Sequence, residues 1–246
     1  MVKILNGISL GCQSWCYRNF HSAEKLASLL QESDLDSLEL CSAHCDFSSK
    51  DDWKKAADEY KALGITLNSC GINWMPKDEA SVRSIFEFAA YAGVKTVGAD
   101  PDPDALELIE RLCDEYGCKI AIHNHGKRHR YGFEHQLDEI FAKTSANVGL
   151  CLDTGWALDA SLDPVKCIEK YADRLYGIHL KDFTFDATGA PEETVLGTGI
   201  LDLPGVIEAL RKIGFAGYAS LEYEGDASDP APKITACVEN LKKAGA

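Results

Sequence analysis

Short apolar runs alternate with amphipathic ones from one end of this chain to the other, and few architectures satisfy that pattern. The apolar runs read as strands at Ile8–Trp15, Ser37–Leu40, Thr66–Ile72, Thr96–Ala99, Lys119–Asn124, Val148–Asp153, Leu175–Lys181 and Tyr218–Glu222. Each is short and nearly free of proline, as strands buried on both faces must be. Between them, apolar residues three and four apart predict helices over Ala23–Gln31, Asp51–Leu63, Glu79–Ala92, Asp104–Tyr116, Glu134–Lys143, Asp163–Tyr171, Leu203–Ile213 and Pro230–Lys243. Several helices stop at a glycine just before the next strand, as in Ala92-Gly93-Val94 and Tyr116-Gly117-Cys118, where a left-handed cap ends the helix.

Eight strand–helix units in 246 residues average about 31 residues each, the length of a βαβ repeat, and the total matches the roughly 250 residues of a (β/α)8 TIM barrel. The chain is therefore read as one α/β barrel domain spanning residues 1–246. A doubly wound open sheet would alternate in the same way, but no GxGxxG turn follows the first strand, so its nucleotide-binding form loses support.

Composition narrows the partners. The chain is 46% hydrophobic and 26% charged, enough to bury a core. Its formal charge of −14 repels phosphate backbones and anionic membrane surfaces, which argues against nucleic acid. No apolar stretch approaches the roughly 20 residues that cross a bilayer. The start of the chain, Met1 to Gly7, lacks the apolar segment of a secretion signal, so the ten cysteines are expected to be reduced thiols in a cytoplasmic protein. None of them forms a CxxC pair, the usual mark of a structural zinc site. Nothing in the sequence decides whether the chain forms a homo-oligomer.

In such a barrel the reactive groups project from the carboxyl ends of the strands. Polar residues closing the apolar runs include Trp15, Glu39 and His44, Asn73 and Trp74, Asp100, His123 and His125, Asp153, His179 with Lys181 and Asp182, and Glu222 with Glu224. Alternate residues of a strand share a face. Leu150 and Leu152 on the helix side therefore turn Cys151 and Asp153 inward, Ile178 and Leu180 do the same for His179 and Lys181, and Leu221 does so for Glu222. His123, Asp153, His179 and Glu222 are thus expected to converge as ligands of one divalent metal, with mixed nitrogen and oxygen donors suiting Mn, Co, Fe or Zn better than Ca, and Mg left open as a further identity. Two buried carboxylates without a cation would force one to protonate. Trp15, Glu39, His44 and Trp156 are the expected substrate contacts, although packing, or for Glu39 an ion pair, explains them as well. Asp182 equally suits a turn cap.

The run Ala121-Ile122-His123-Asn124-His125-Gly126, followed by Cys151-Leu152-Asp153-Thr154-Gly155, Gly177-Ile178-His179-Leu180-Lys181-Asp182, Gly197-Thr198-Gly199-Ile200-Leu201-Asp202 and Ala219-Ser220-Leu221-Glu222-Tyr223-Glu224, resembles the xylose isomerase-like sugar isomerase/epimerase superfamily over most of the chain. The resemblance implies a barrel holding one divalent cation by Glu, Asp, His and Glu, and rearrangement of polyhydroxy ketones and aldehydes. Asp153, His179 and Glu222 match that pattern; His123 stands where the family usually has glutamate. The resemblance then implies Glu222 as the base beside the carbonyl, His123 or His125 as the group returning the proton, and Lys181 as a stabiliser of developing oxyanion charge. The His-Asn-His-Gly block is similar also to that of the superfamily's inosose dehydratases, so a lyase is the alternative, and a non-catalytic sugar-binding barrel a further one. The superfamily's apurinic-site endonucleases fit poorly with an acidic chain of few ligands. The segment from Phe183 to Gly199 is expected to be a loop that closes over a ligand.

Overall fold

The computed structural model describes residues 3–5 and 8–245. Met1, Val2, Asn6 and Gly7 lie outside it, and with them most of the amino-terminal run read for a secretion signal. Along the chain come β1 (Lys3–Leu5), β2 (Ile8–Gln13), α1 (Ala23–Glu32), β3 (Ser37–Leu40), α2 (Lys50–Ala62), β4 (Thr66–Cys70), β5 (Asn73–Met75), α3 (Glu79–Ala92), β6 (Thr96–Pro101), α4 (Leu106–Tyr116) and β7 (Lys119–His123). There follow α5 (Glu134–Lys143), β8 (Val148–Asp153), α6 (Thr154–Asp159), α7 (Pro164–Lys170), β9 (Leu175–Leu180), β10 (Asp182–Phe185), β11 (Pro191–Thr194), α8 (Leu203–Lys212), β12 (Tyr218–Leu221) and α9 (Ala231–Ala244).

Nine of these strands run parallel in the order β4-β3-β2-β12-β9-β8-β7-β6-β5. Its two ends, β4 and β5, are consecutive in sequence, so together they are the third strand of a (β/α)8 barrel, broken at Gly71 and Ile72. The break explains why the expected strand Thr66–Ile72 ends early at Cys70. Gly71 is needed there because a Cβ would come within 2.5 Å of the Gly98 carbonyl oxygen on β6. A short antiparallel strand, β1, is added beside β2.

The helices form where polar caps start them. Side chains of Ser22, Ser49, Asp78, Asp163 and Asp202 accept hydrogen bonds from the first-turn amides of α1, α2, α3, α7 and α8, each worth about 1 kcal/mol. Gly93 and Gly117 end α3 and α4 in the left-handed conformation. The main core lies between helices and sheet, with Leu10, Leu38, Val97, Ile120, Leu150 and Ile178 fully enclosed by helix residues such as Leu26, Phe86 and Ile207. A small second cluster of Ala121, Cys151 and Tyr218 fills the barrel interior. That interior is unusually polar, holding buried Ser37, Glu39, Ser69, His179 and Ser220.

Register then levels the strand ends. Asp153 pairs with His179 and His123 with Cys151, while Ser220 pairs with His179. Three neighbouring strands and the first residue past β12 therefore deliver side chains to one rim.

Candidate metal centre

His123 and Asp153 are the last residues of β7 and β8, His179 lies one residue from the end of β9, and Glu222 follows β12 directly. One ligand atom from each falls within 4.8 Å of the other three. His179 Nδ1 is 2.9 Å from Glu222 Oε2, and His123 Nε2 is 3.4 Å from Asp153 Oδ2. Asp153 divides its work: Oδ1 accepts from the Trp156 amide at 2.8 Å and caps α6, while Oδ2 is left toward the cluster. Asn124 clamps the Asp153 backbone from both sides, accepting from its amide at 2.7 Å and donating to its carbonyl at 3.0 Å.

Asp153 Oδ2 and both ring nitrogens of His123 are buried with no hydrogen-bond partner. Buried polar atoms are rarely left so. Only the ring nitrogen of His123 without a proton has a lone pair to give, so with Asp153 Oδ2, His179 and Glu222 each residue offers one ligand atom, a mixed nitrogen and oxygen set that fits a divalent transition metal.

Electrostatics say the same. Lys181 is almost wholly buried, with Nζ 3.2 Å from Glu222 Oε2, 3.9 Å from Asp153 Oδ2 and in contact with Glu224. Its pKa stays well above the ordinary value because these carboxylates outweigh its burial. Burial pushes the Asp153 carboxyl up to about 7, and pushes His123 down to about 3 with help from His179. Burial would raise Glu222 too, but Lys181 and His179 hold its carboxyl well below the usual range. One lysine and one imidazole thus face Glu39, Asp153, Glu222 and Glu224, an acidic excess that a cation relieves.

The other expected site residues fall in different places. Trp15 and Trp156 form walls of a cavity of about 320 Å³ above the cluster, together with His125, Gln13 and Glu224. Trp15 Nε1 donates to Glu224 at 2.8 Å, and the His125 and Trp156 rings pack 4.8 Å apart. Glu39, expected among the substrate contacts, lies instead beneath His179 with no exposed surface. His44 turns away from the cavity: its Nε2–H faces the carbonyls of Tyr17 and Phe20 at 3.2 and 3.0 Å, and burial lowers its pKa. Sequence reasoning missed Glu193, whose buried Oε1 has no partner and whose pKa burial raises to about 8. It stands on β11, which pairs with β10 as a hairpin inside the segment expected to be loop. A larger cavity of about 560 Å³, near Gly64 and Thr66 at the amino end of β4, holds none of these groups; the chemistry belongs to the smaller one.

Fold and site together define a (β/α)8 barrel that gathers side chains able to hold a metal ion at the carboxyl ends of its strands. The chain belongs to the xylose isomerase-like TIM barrel family, whose model matches residues 21–244. It is similar to the rhizopine catabolism protein MocC of Rhizobium meliloti, 30% identical over 156 residues that cover 57% of this chain and 47% of that one. It is similar also to the inosose dehydratase of Geobacillus kaustophilus, 30% identical over 138 residues, 50% of this chain and 44% of that one. The chain therefore spans about half the length of these curated relatives. Among solved structures, the zinc-bound IolI protein superposes with a TM-score of 0.75 at 18% identity, covering 96% of this chain and 98% of its own. At that identity the likeness is one of fold.

Proposed function

We propose that this chain is a divalent-metal-dependent sugar isomerase or epimerase that moves a proton beside the carbonyl of a small polyhydroxy ketone or aldehyde. One observation carries the reading: His123, Asp153, His179 and Glu222 offer ligand atoms within 4.8 Å of one another, three of them buried. A divalent ion held there would act as a Lewis acid on the substrate's carbonyl oxygen. Zinc, manganese or cobalt suits the mixed nitrogen and oxygen set, magnesium less well.

Glu222, kept ionised by Lys181 and His179, is the base that takes the proton from the carbon next to the carbonyl. Lys181 stabilises the negative charge that develops on oxygen. His123 serves as the nitrogen ligand in place of a glutamate, and His125, on the cavity wall against Trp156 and kept neutral by burial that lowers its pKa to about 4, passes its N–H proton to the carbon as its other nitrogen takes one from water. Trp15 and Trp156 offer flat faces to the apolar side of a sugar ring. The acidic surface speaks against nucleic acid, and ten buried free cysteines fit a reducing, cytoplasmic setting.

A second reading, a dehydratase, is favoured by the curated inosose dehydratase relatives and by the single glutamate among the four ligands. Both reactions begin with the same proton abstraction. Incubation in heavy water with ketoses and an inosose, with Zn²⁺, Mn²⁺, Co²⁺ or Mg²⁺ added, tests both. Deuterium gained at the carbon beside the carbonyl without loss of water is the expected result. Loss of water establishes the dehydratase, and neither exchange nor elimination by the metal-loaded protein leaves a barrel that only binds.

A further inference from the structure

His179 reaches the cluster from a ring that is held on its far side. Its Nε2 lies 2.7 Å from Glu39 Oε2, and neither side chain has any exposed surface. The two come from β3 and β9, across the barrel interior. Nδ1, on the opposite edge, is the nitrogen that faces Glu222.

A neutral imidazole gives a lone pair only from the nitrogen that carries no proton, so the position of its one proton decides whether His179 can be a ligand. A carboxylate accepts hydrogen bonds and donates none. With Glu39 against it Nε2 holds its proton, so the proton that faces Glu222 from Nδ1 is the one that a cation replaces, and Nδ1 is the nitrogen whose lone pair the cation takes. The fold makes room for this acid: Gly98 on β6 passes so close that a Cβ there would come within 2.8 Å of Glu39 Oε1. That oxygen has no hydrogen-bond partner, an expensive state for a carboxylate whose only task is packing.

We propose that Glu39 is a positioning residue, fixing His179 as the Nε2–H tautomer and presenting Nδ1 to a divalent cation. The inference rests on the metal centre proposed above and concerns how the cation is held, whichever reaction follows. Carboxylates behind ligating imidazoles typically carry a 10- to 100-fold effect on metal affinity.

The test is a Zn²⁺ titration against a chromophoric chelator for the wild type, Glu39→Leu, Glu39→Gln and Gly98→Ala, with folding checked by circular dichroism. Glu39→Leu is expected to bind Zn²⁺ on the order of 10- to 100-fold more weakly. Glu39→Gln, whose amide oxygen can still accept from Nε2, falls between it and the wild type. Gly98→Ala, which displaces Glu39 without touching a ligand, also weakens binding. Should Glu39→Leu not fold, nitrogen-15 spectra of the Zn²⁺-loaded wild type decide the matter: a proton on Nε2 of His179 is expected, and a proton on Nδ1 overturns the proposal. Wild-type affinity in a folded Glu39→Leu overturns it alone, whereas a wild type that binds no Zn²⁺ removes the metal centre and this inference together.

Discussion

At the scale of single residues, the burden falls on Asp153 and Lys181. Asp153 has a folded-state pKa of about 7, raised by burial above its ordinary value. A carboxyl raised in this way contributes most to stability below its unfolded pKa of about 4 and progressively less as pH climbs toward 7. Asp153→Asn keeps an oxygen for the α6 cap and removes the buried charge. The metal-free variant should therefore gain stability relative to wild type as pH rises from about 4 to about 7, while its Zn²⁺ affinity falls at least tenfold. For the wild type, a cation must displace the Asp153 proton below about pH 7, so apparent affinity should rise with pH and rise most steeply there, as titrations across that range would show. Lys181→Met removes the cation from among Glu222, Asp153 and Glu224. Chemical denaturation of the metal-free variant should register a loss of about 3–5 kcal/mol, partly restored by Zn²⁺.

At the scale of elements, periodicity alone located most of the architecture. Val148–Asp153, Glu79–Ala92 and Glu134–Lys143 end where the sequence says they should, because alternation and three-to-four spacing express contacts each element makes with its immediate surroundings. The convergence of His123, Asp153, His179 and Glu222 was legible for the same reason, since they are inward-facing residues near the strand ends. Features set by distant packing were not. The third strand breaks because Gly71 meets the backbone of Gly98, and Glu39 goes inward because His179 lies across the barrel from it. Nor did the sequence mark the β10–β11 hairpin, whose turn lacks an Asn-Gly pair. Asp182, read as a turn cap, anchors the segment after that hairpin: its buried carboxylate accepts from the amides of Gly197, Gly199 and Leu201 at 2.9, 2.9 and 3.0 Å. Asp182→Ala leaves those amides without an acceptor, and urea denaturation should show a loss of about 3 kcal/mol.

At the scale of the molecule, 39 acidic residues against 25 basic ones give the whole chain a field that draws in cations. Such a surface also binds divalent ions loosely, so stabilisation by metal is informative only if it belongs to the mouth. A cation present at 100 times its dissociation constant stabilises the folded state by about 2.7 kcal/mol, which for a chain of this size is roughly a 5–10 °C rise in Tm. Wild-type protein stripped with a chelator and resupplied with Zn²⁺ should show that rise and lose it on re-chelation. Asp153→Asn, whose surface charge is otherwise unchanged, should show little of it. An equal rise in both proteins would mean that the ion sits on the acidic exterior and that the convergence of His123, Asp153, His179 and Glu222 does not hold it.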